Sequence, residues 1–98
     1  MTKILFFLTC RDKTGIELAL EYDKESDQVT MCLIQDAVYN ANKAEFLIQE
    51  FVKKGKVYVG KADVEQRGLK NYIHPEAKLL DYGEIIELAF ENDNIINL

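Results

Sequence analysis

Residues 29–38 read Val-Thr-Met-Cys-Leu-Ile-Gln-Asp-Ala-Val. The first six form an almost unbroken apolar run, too short for a free-standing helix. Its β-branched start and polar stop fit a strand buried on both faces, as in a parallel sheet. Gln35 and Asp36 end the run, and Ala37, Val38 and Ala41 follow at helical spacing. Asp36 is therefore expected as the N-cap of a helix. A strand running straight into a helix is the basic step of an α/β fold. Such folds bind ligands at the carboxyl ends of their strands, so chemistry is to be sought beside Gln35 and Asp36.

The same step recurs along the chain. Lys3–Thr9 reads as a buried strand, left through Cys10-Arg11-Asp12-Lys13. Thr14 and Glu17 fit a capping box for a helix whose apolar face is Ile16, Ala19 and Leu20. A charged loop, residues 23–27, leads into the strand at 29–34. The helix after Asp36 is weakened by Asn40, Asn42 and Lys43, which predicts a break there and a second helix over Ala44–Lys53. Lys53, Lys54 and Gly55 supply its stop, with cations in the last turn and then a residue tolerant of left-handed backbone.

Lys56–Gly60 is a short third strand and Ala62–Arg67 a helical turn or two closed by Gly68. The stretch up to Pro75 is irregular, because proline forbids a regular helix through His74. Ala77–Leu80 is a fourth strand. Asp81 with Glu84 repeats the capping box, and Ile85, Ile86, Ala89 and Phe90 supply the apolar face of a last helix. Residues 92–98 are either a fifth short strand or a contact with another chain. Strand–helix order throughout predicts a mostly parallel sheet of four to five strands, helices on both faces and right-handed crossovers.

Composition narrows the function. With 98 residues, 48% of them apolar, the chain is expected to be one domain, 1–98, with a core that needs no staples. Lys and Arg number 12 against 17 Asp and Glu, a net charge of -5, which argues against direct nucleic-acid binding though not against a local basic patch. Cys10 and Cys32 are too few for a disulfide scaffold and poorly placed to pair, so free thiols and a reducing compartment, the cytoplasm, are expected. No apolar stretch has the length of a signal h-region or a membrane span.

In this topology four strand exits share one rim: Thr9-Cys10-Arg11, Gln35-Asp36, Gly60-Lys61 and Asp81-Tyr82. Cys10 is the one nucleophile there. Arg11, Lys13 or Lys61 would lower its pKa and Asp12 or Asp36 raise it, so the sign stays open. Packing is the commoner explanation of a lone cysteine, and more so for Cys32 inside an apolar strand. Asp36 and Asp81 are candidate general bases, though capping alone accounts for both. His74 stands in a loop with no ligand at metal spacing. No glycine-rich phosphate loop follows a strand, and the paired acids of a phosphoacceptor receiver are absent, Cys10-Arg11-Asp12 standing in their place. The run Lys53-Lys54-Gly55-Lys56 reads as a solvated helix end. Nothing calls for a metal or an organic cofactor.

Three segments in register resemble the DsrH/TusB family. Ile34-Gln35-Asp36-Ala37-Val38 is similar to its LLQDGV strand-to-helix signature, Gln66-Arg67-Gly68-Leu69 to its ARGL segment, and Leu80–Leu88 to its IDYTDFVRL stretch. The first third of the chain matches in pattern only. The resemblance implies a small α/β domain of the DsrE/DsrF/DsrH type acting in sulfur relay. In the Tus system TusB assembles with TusC and TusD, and the complex passes persulfide sulfur toward 2-thiouridine at the tRNA wobble position. The related Dsr complex serves sulfur oxidation. The persulfide cysteine of the Tus complex belongs to TusD. Some DsrH members carry a cysteine in the first helix, where this chain, at Thr14–Tyr22, has none. Ala37 replaces a frequent glycine.

Three readings follow. The first is a mainly structural subunit of a cytoplasmic relay, docking on DsrE/DsrF-like subunits through apolar helix faces. In the second, Cys10 itself carries a persulfide. The third is a stand-alone oligomeric binding or regulatory module that has lost the relay.

Overall fold

The computed structural model describes residues 2–24 and 28–98. Its elements run β1 (Lys3–Leu8), α1 (Thr14–Lys24), β2 (Gln28–Leu33), a 3-10 segment (Gln35–Ala41), α2 (Gln49–Lys53), β3 (Val57–Gly60), α3 (Lys61–Gln66), β4 (Lys78–Leu80), α4 (Tyr82–Phe90) and β5 (Asn94–Asn97). The five strands form one sheet in the order β4-β3-β2-β1-β5. Every neighbouring pair is parallel, with Phe6 opposite both Met31 and Ile96, and Leu33 opposite Val59.

The strand order explains the layering. From β1 to β4 the chain steps across the sheet in one direction, so right-handed crossovers place α1, the 3-10 segment, α2 and α3 on one face. The step from β4 to β5 reverses direction and crosses the sheet, so the same hand sends α4 over the other face. Packing follows this division. Ile4, Phe6, Val29, Met31, Leu33, Val57 and Val59 point to the first face and close on Ile16, Ala19, Val38, Ile48, Phe51 and Val64. On the second face Leu5, Phe7, Cys32 and Tyr58 meet Leu88, Ile85 and Ala89 of α4 alone. β2, the middle strand, is buried on both sides as expected, and residues 94–97 form the fifth strand.

Five local expectations are corrected. Asp36 caps nothing. The 3-10 segment begins at Gln35, which takes φ 51°, and its N-cap is Ile34 with no side-chain cap. Thr14 and Glu17 form no capping box. Asp12 caps α1 instead, its Oδ1 accepting from the Thr14 amide at 2.7 Å and from the Thr14 hydroxyl, while the Glu17 amide bonds the Lys13 carbonyl. A carboxylate is a stronger acceptor than a hydroxyl.

The helix resumes at Gln49 rather than Ala44. Asn42 diverts the backbone, donating to the Tyr39 carbonyl at 2.7 Å and accepting from the Ala44 amide at 2.9 Å, and it bridges to Ile73. Of the expected α4 face, Ile85 and Ala89 pack inward, but Ile86 and Phe90 are exposed and Leu88 takes the buried position. The stop at Gly55 (φ 71°), the closure at Gly68 (φ 64°) and the Asp81–Glu84 capping box occur as read. Of the charged loop expected at 23–27, Asp23 and Lys24 are instead the last residues of α1, and residues 25–27 lie outside the described residues.

Candidate functional site

All-parallel pairing puts the strand exits on one rim, but the side chains there divide into separate groups. Cys10 is exposed and lines a shallow cavity of about 160 Å³ with Leu8, Asp12, Thr14, Gly15 and Leu98. Its Sγ donates to the Leu98 carbonyl at 3.5 Å. Arg11 turns away from it and lies over the Tyr39 ring, 4.5 Å from the centroid. The Arg11 carbonyl accepts from the buried Asn40 side chain at 2.9 Å, and Lys13 pairs with Glu45 at 2.8 Å. These three contacts fasten the β1 exit loop onto the segment that follows β2.

Burial alone would raise the Glu45 pKa, but the Lys13 ammonium and the Leu47 and Phe46 amides outweigh it and hold the carboxyl below its usual range. Asp12 is likewise lowered, by the hydroxyl and then the amide of Thr14.

Beyond β2 and β3 lies a second group. Asp36 Oδ1 accepts from Arg67 Nε at 3.1 Å and Nη2 at 3.0 Å, while Arg67 Nη1 donates to the Asp63 carbonyl at 3.2 Å and stands 3.7 Å from the Asp63 carboxylate. Asp36 is thus tied up by a guanidinium from 31 positions away rather than poised as a base. The pair is solvent-facing, with Asp36 59% exposed, and contributes at most about 1 kcal/mol. Lys61 lines a different cavity, with Val64, Glu65, Lys70 and Leu79. Gln35 is exposed. Asp81 is occupied as a cap, accepting from the Glu84 amide at 2.9 Å. His74 Nδ1 accepts from the Glu76 amide at 3.1 Å.

The rim therefore does not assemble Cys10, Lys61 and Asp81 into one constellation. Tyr39, Asn40, Glu45, Asp63 and Arg67, which organise it, were not singled out as site residues. Asn40 carries a mark only as a helix-weakening residue, Glu45 and Asp63 only as members of helical stretches, Arg67 only within the segment Gln66–Leu69, and Tyr39 none. Cys32 is fully buried, and its thiol is pushed up to about 12 by desolvation first and by the Asp63 carboxylate second. It is inert at neutral pH. Among the described residues no group of His, Cys, Asp and Glu could hold a metal ion, and no helix is long and apolar enough to cross a membrane.

The fold and rim define a small all-parallel α/β protein of the kind that packs most of its helices on one sheet face. The family described as "DsrH like protein" matches residues 11–95. The chain belongs to the DsrH family. In fold it is similar to the YchN protein from E. coli, known from a crystal structure, with a TM-score of 0.75 and 15% identity over 100% of both chains. No curated protein matches its sequence. Cys10 immediately precedes the matched residues.

Proposed function

We propose that this chain, acting as one domain over 1–98, is a mainly structural subunit of a cytoplasmic sulfur-relay assembly. It docks on DsrE- and DsrF-like sister subunits of the TusD and TusC kind, and the assembly supports 2-thiouridine formation at the tRNA wobble position. Membership of the DsrH family supports the relay. The observation that carries the structural role is the setting of the thiols. Cys10 donates to a carbonyl while Arg11 is stacked on Tyr39, and Cys32 is sealed in the core. A persulfide carrier needs an accessible thiolate held by a positive neighbour.

A second reading rests on the exposure of Cys10 on its cavity at the carboxyl rim. In it the Cys10 thiolate attacks the terminal sulfur of a donor persulfide. A new S–S bond forms at Cys10, the donor's S–S bond breaks, and the donor leaves as a thiolate.

Intact-mass spectrometry after incubation with a cysteine desulfurase and cysteine separates the two. The structural role predicts no adduct on the folded chain. A gain of about 32 Da, one sulfur, that disappears in Cys10→Ser would overturn it and make Cys10 the carrier.

A further inference from the structure

α4 covers only part of the second sheet face. It enters from the carboxyl rim after β4 and ends at Phe90, so beyond its last turn the starts of β1, β2 and β3 lie open. Side chains alternate along a strand. Lys3, Thr30 and Lys56 stand two residues before Leu5, Cys32 and Tyr58, and so share the face on which α4 packs. The ladder aligns them. Lys3 lies opposite Gln28, and the Met31 amide donates to the Lys56 carbonyl at 2.9 Å. Lys3 and Lys56 thus flank Thr30 of the middle strand from either side. With Thr30 and Tyr58 they line a polar cavity of about 390 Å³, and Leu88 and Glu91 of the last helical turn form its other wall.

This cavity holds charges of both signs that do not neutralise one another. Among the described residues neither Lys3 nor Glu91 belongs to an ion pair within 4.0 Å. Lys56 stands 3.9 Å from the Asp23 carboxylate, which Lys54 engages more closely at 3.1 Å. Glu91 is the C-cap of α4, where the helix dipole already presents its negative end, and no basic residue occupies the last turn. A carboxylate in that position opposes the helix, and local choices that oppose the fold concentrate at functional sites.

We infer that the cavity binds a free α-amino acid with a neutral side chain, taken up as the zwitterion. Its carboxylate accepts from the Lys3 and Lys56 ammonium groups and from the Thr30 hydroxyl. Its ammonium donates to the Glu91 carboxylate and faces the carboxyl end of α4. Leu88 and the Tyr58 ring offer the side chain an apolar wall, and Lys78, already over that ring, refuses a cationic one. Charge selects this class of ligand. An inorganic anion would meet Glu91 and the negative end of the helix, and a simple cation would meet two lysines. A ligand with both charges on neighbouring groups satisfies both walls through charge-assisted hydrogen bonds, which are the strong ones. The site lies at the strand starts, away from the carboxyl rim, and the inference does not rest on the relay reading.

Heteronuclear NMR on the full chain tests it, with L-leucine and L-methionine as probes. The expected result is a saturable shift of the Lys3, Thr30, Lys56 and Glu91 amides, complete by about 10 mM ligand. N-acetyl-L-leucine lacks the ammonium and L-leucinamide the carboxylate, and each should bind at least about tenfold more weakly than L-leucine. Variants give the sharper readout. Lys3 and Glu91 are both exposed, so substitution should leave circular dichroism unchanged. Glu91→Gln should erase the preference for L-leucine over its N-acetyl derivative and keep that over the amide, and Lys3→Gln should do the reverse.

No saturable shift with either amino acid overturns the inference, as do shifts confined to the carboxyl rim, derivatives that bind as well as L-leucine, or variants that leave both preferences in place. Inorganic phosphate that moves the same amides as strongly as L-leucine also overturns it, since the cavity would then read an anion alone.

Discussion

The two cysteines show how far one residue type is governed by its place. Cys32 follows Met31 in the middle strand, its side chain on the face covered by α4, with no exposed surface. An apolar run told of that burial, and the thiol's position near 12 follows from it. The linkage has a definite sign. The folded pKa lies above the unfolded value of about 8.5, so above that pH the native chain keeps a proton the unfolded chain has lost, and stability falls as pH rises. Urea unfolding between about pH 8.5 and 12 should show wild type losing up to about 1.4 kcal/mol per pH unit more than Cys32→Ala. Equal slopes would mean that the native thiol ionises normally.

Cys10 was legible as the thiol of a strand exit, but its exposure and its neighbours were not. Arg11 is adjacent in sequence, yet the ring of Tyr39 takes its guanidinium. Asp36 was read as a cap from its immediate neighbours, whereas Arg67, from a distant turn, determines its role. Pairings across such separations leave no local pattern. Gln35 at φ 51° left none either; a non-glycine residue there costs on the order of 1 kcal/mol.

Element boundaries were readable where both partners of a bond lie within one turn. At α4 the Glu84 carboxylate accepts from the Asp81 amide at 3.0 Å and the Asp81 carboxylate from the Glu84 amide at 2.9 Å, as the spacing of the two residues requires. At α1 two patterns compete over the same stretch, and the nearer-looking Thr14–Glu17 box loses to Asp12. At α2 the start is displaced because residues 41–43 are bonded to the loop before Pro75. The Lys43 amide donates to the Tyr72 carbonyl and the His74 amide to the Ala41 carbonyl.

The consequence is measurable at α4. Asp81→Ala should lower stability by about 1 kcal/mol, whereas Asp81→Asn, which keeps an acceptor, should cost a fraction of that. Urea midpoints at constant slope report the difference. Equal costs for the two would show that the carboxylate's charge, not its hydrogen bond, fastens the helix.

At the scale of the whole molecule, strand–helix alternation and handedness were enough to give a parallel sheet with helices on both faces. They did not give the unequal division, because that depends on strand order, and the order was fixed only when the last segment turned back to β1. β5 is short and polar at both ends, and its alternatives at the sequence level were a strand or a contact.

In the fold it protects the flank of the first buried strand. The Asp93 amide donates to the Lys3 carbonyl at 2.9 Å and the Leu98 amide to the Phe7 carbonyl at 2.8 Å. Ile96 packs on the main core, and Leu98 lines one cavity with Gly15 at the start of α1. Ending the chain after Asn92 removes all of this and leaves β1, an apolar strand, as a naked edge. The truncated chain should lose at least about 2 kcal/mol, from one half-buried isoleucine and several ladder hydrogen bonds, and should aggregate on concentration. Ile95→Ser, on the face away from the main core, keeps the ladder and should cost less than about 0.5 kcal/mol in the monomer. Urea midpoints with light scattering distinguish the two. A truncation as mild as Ile95→Ser would show that the sheet closes at β1 and that β5 is held there only as an accessory.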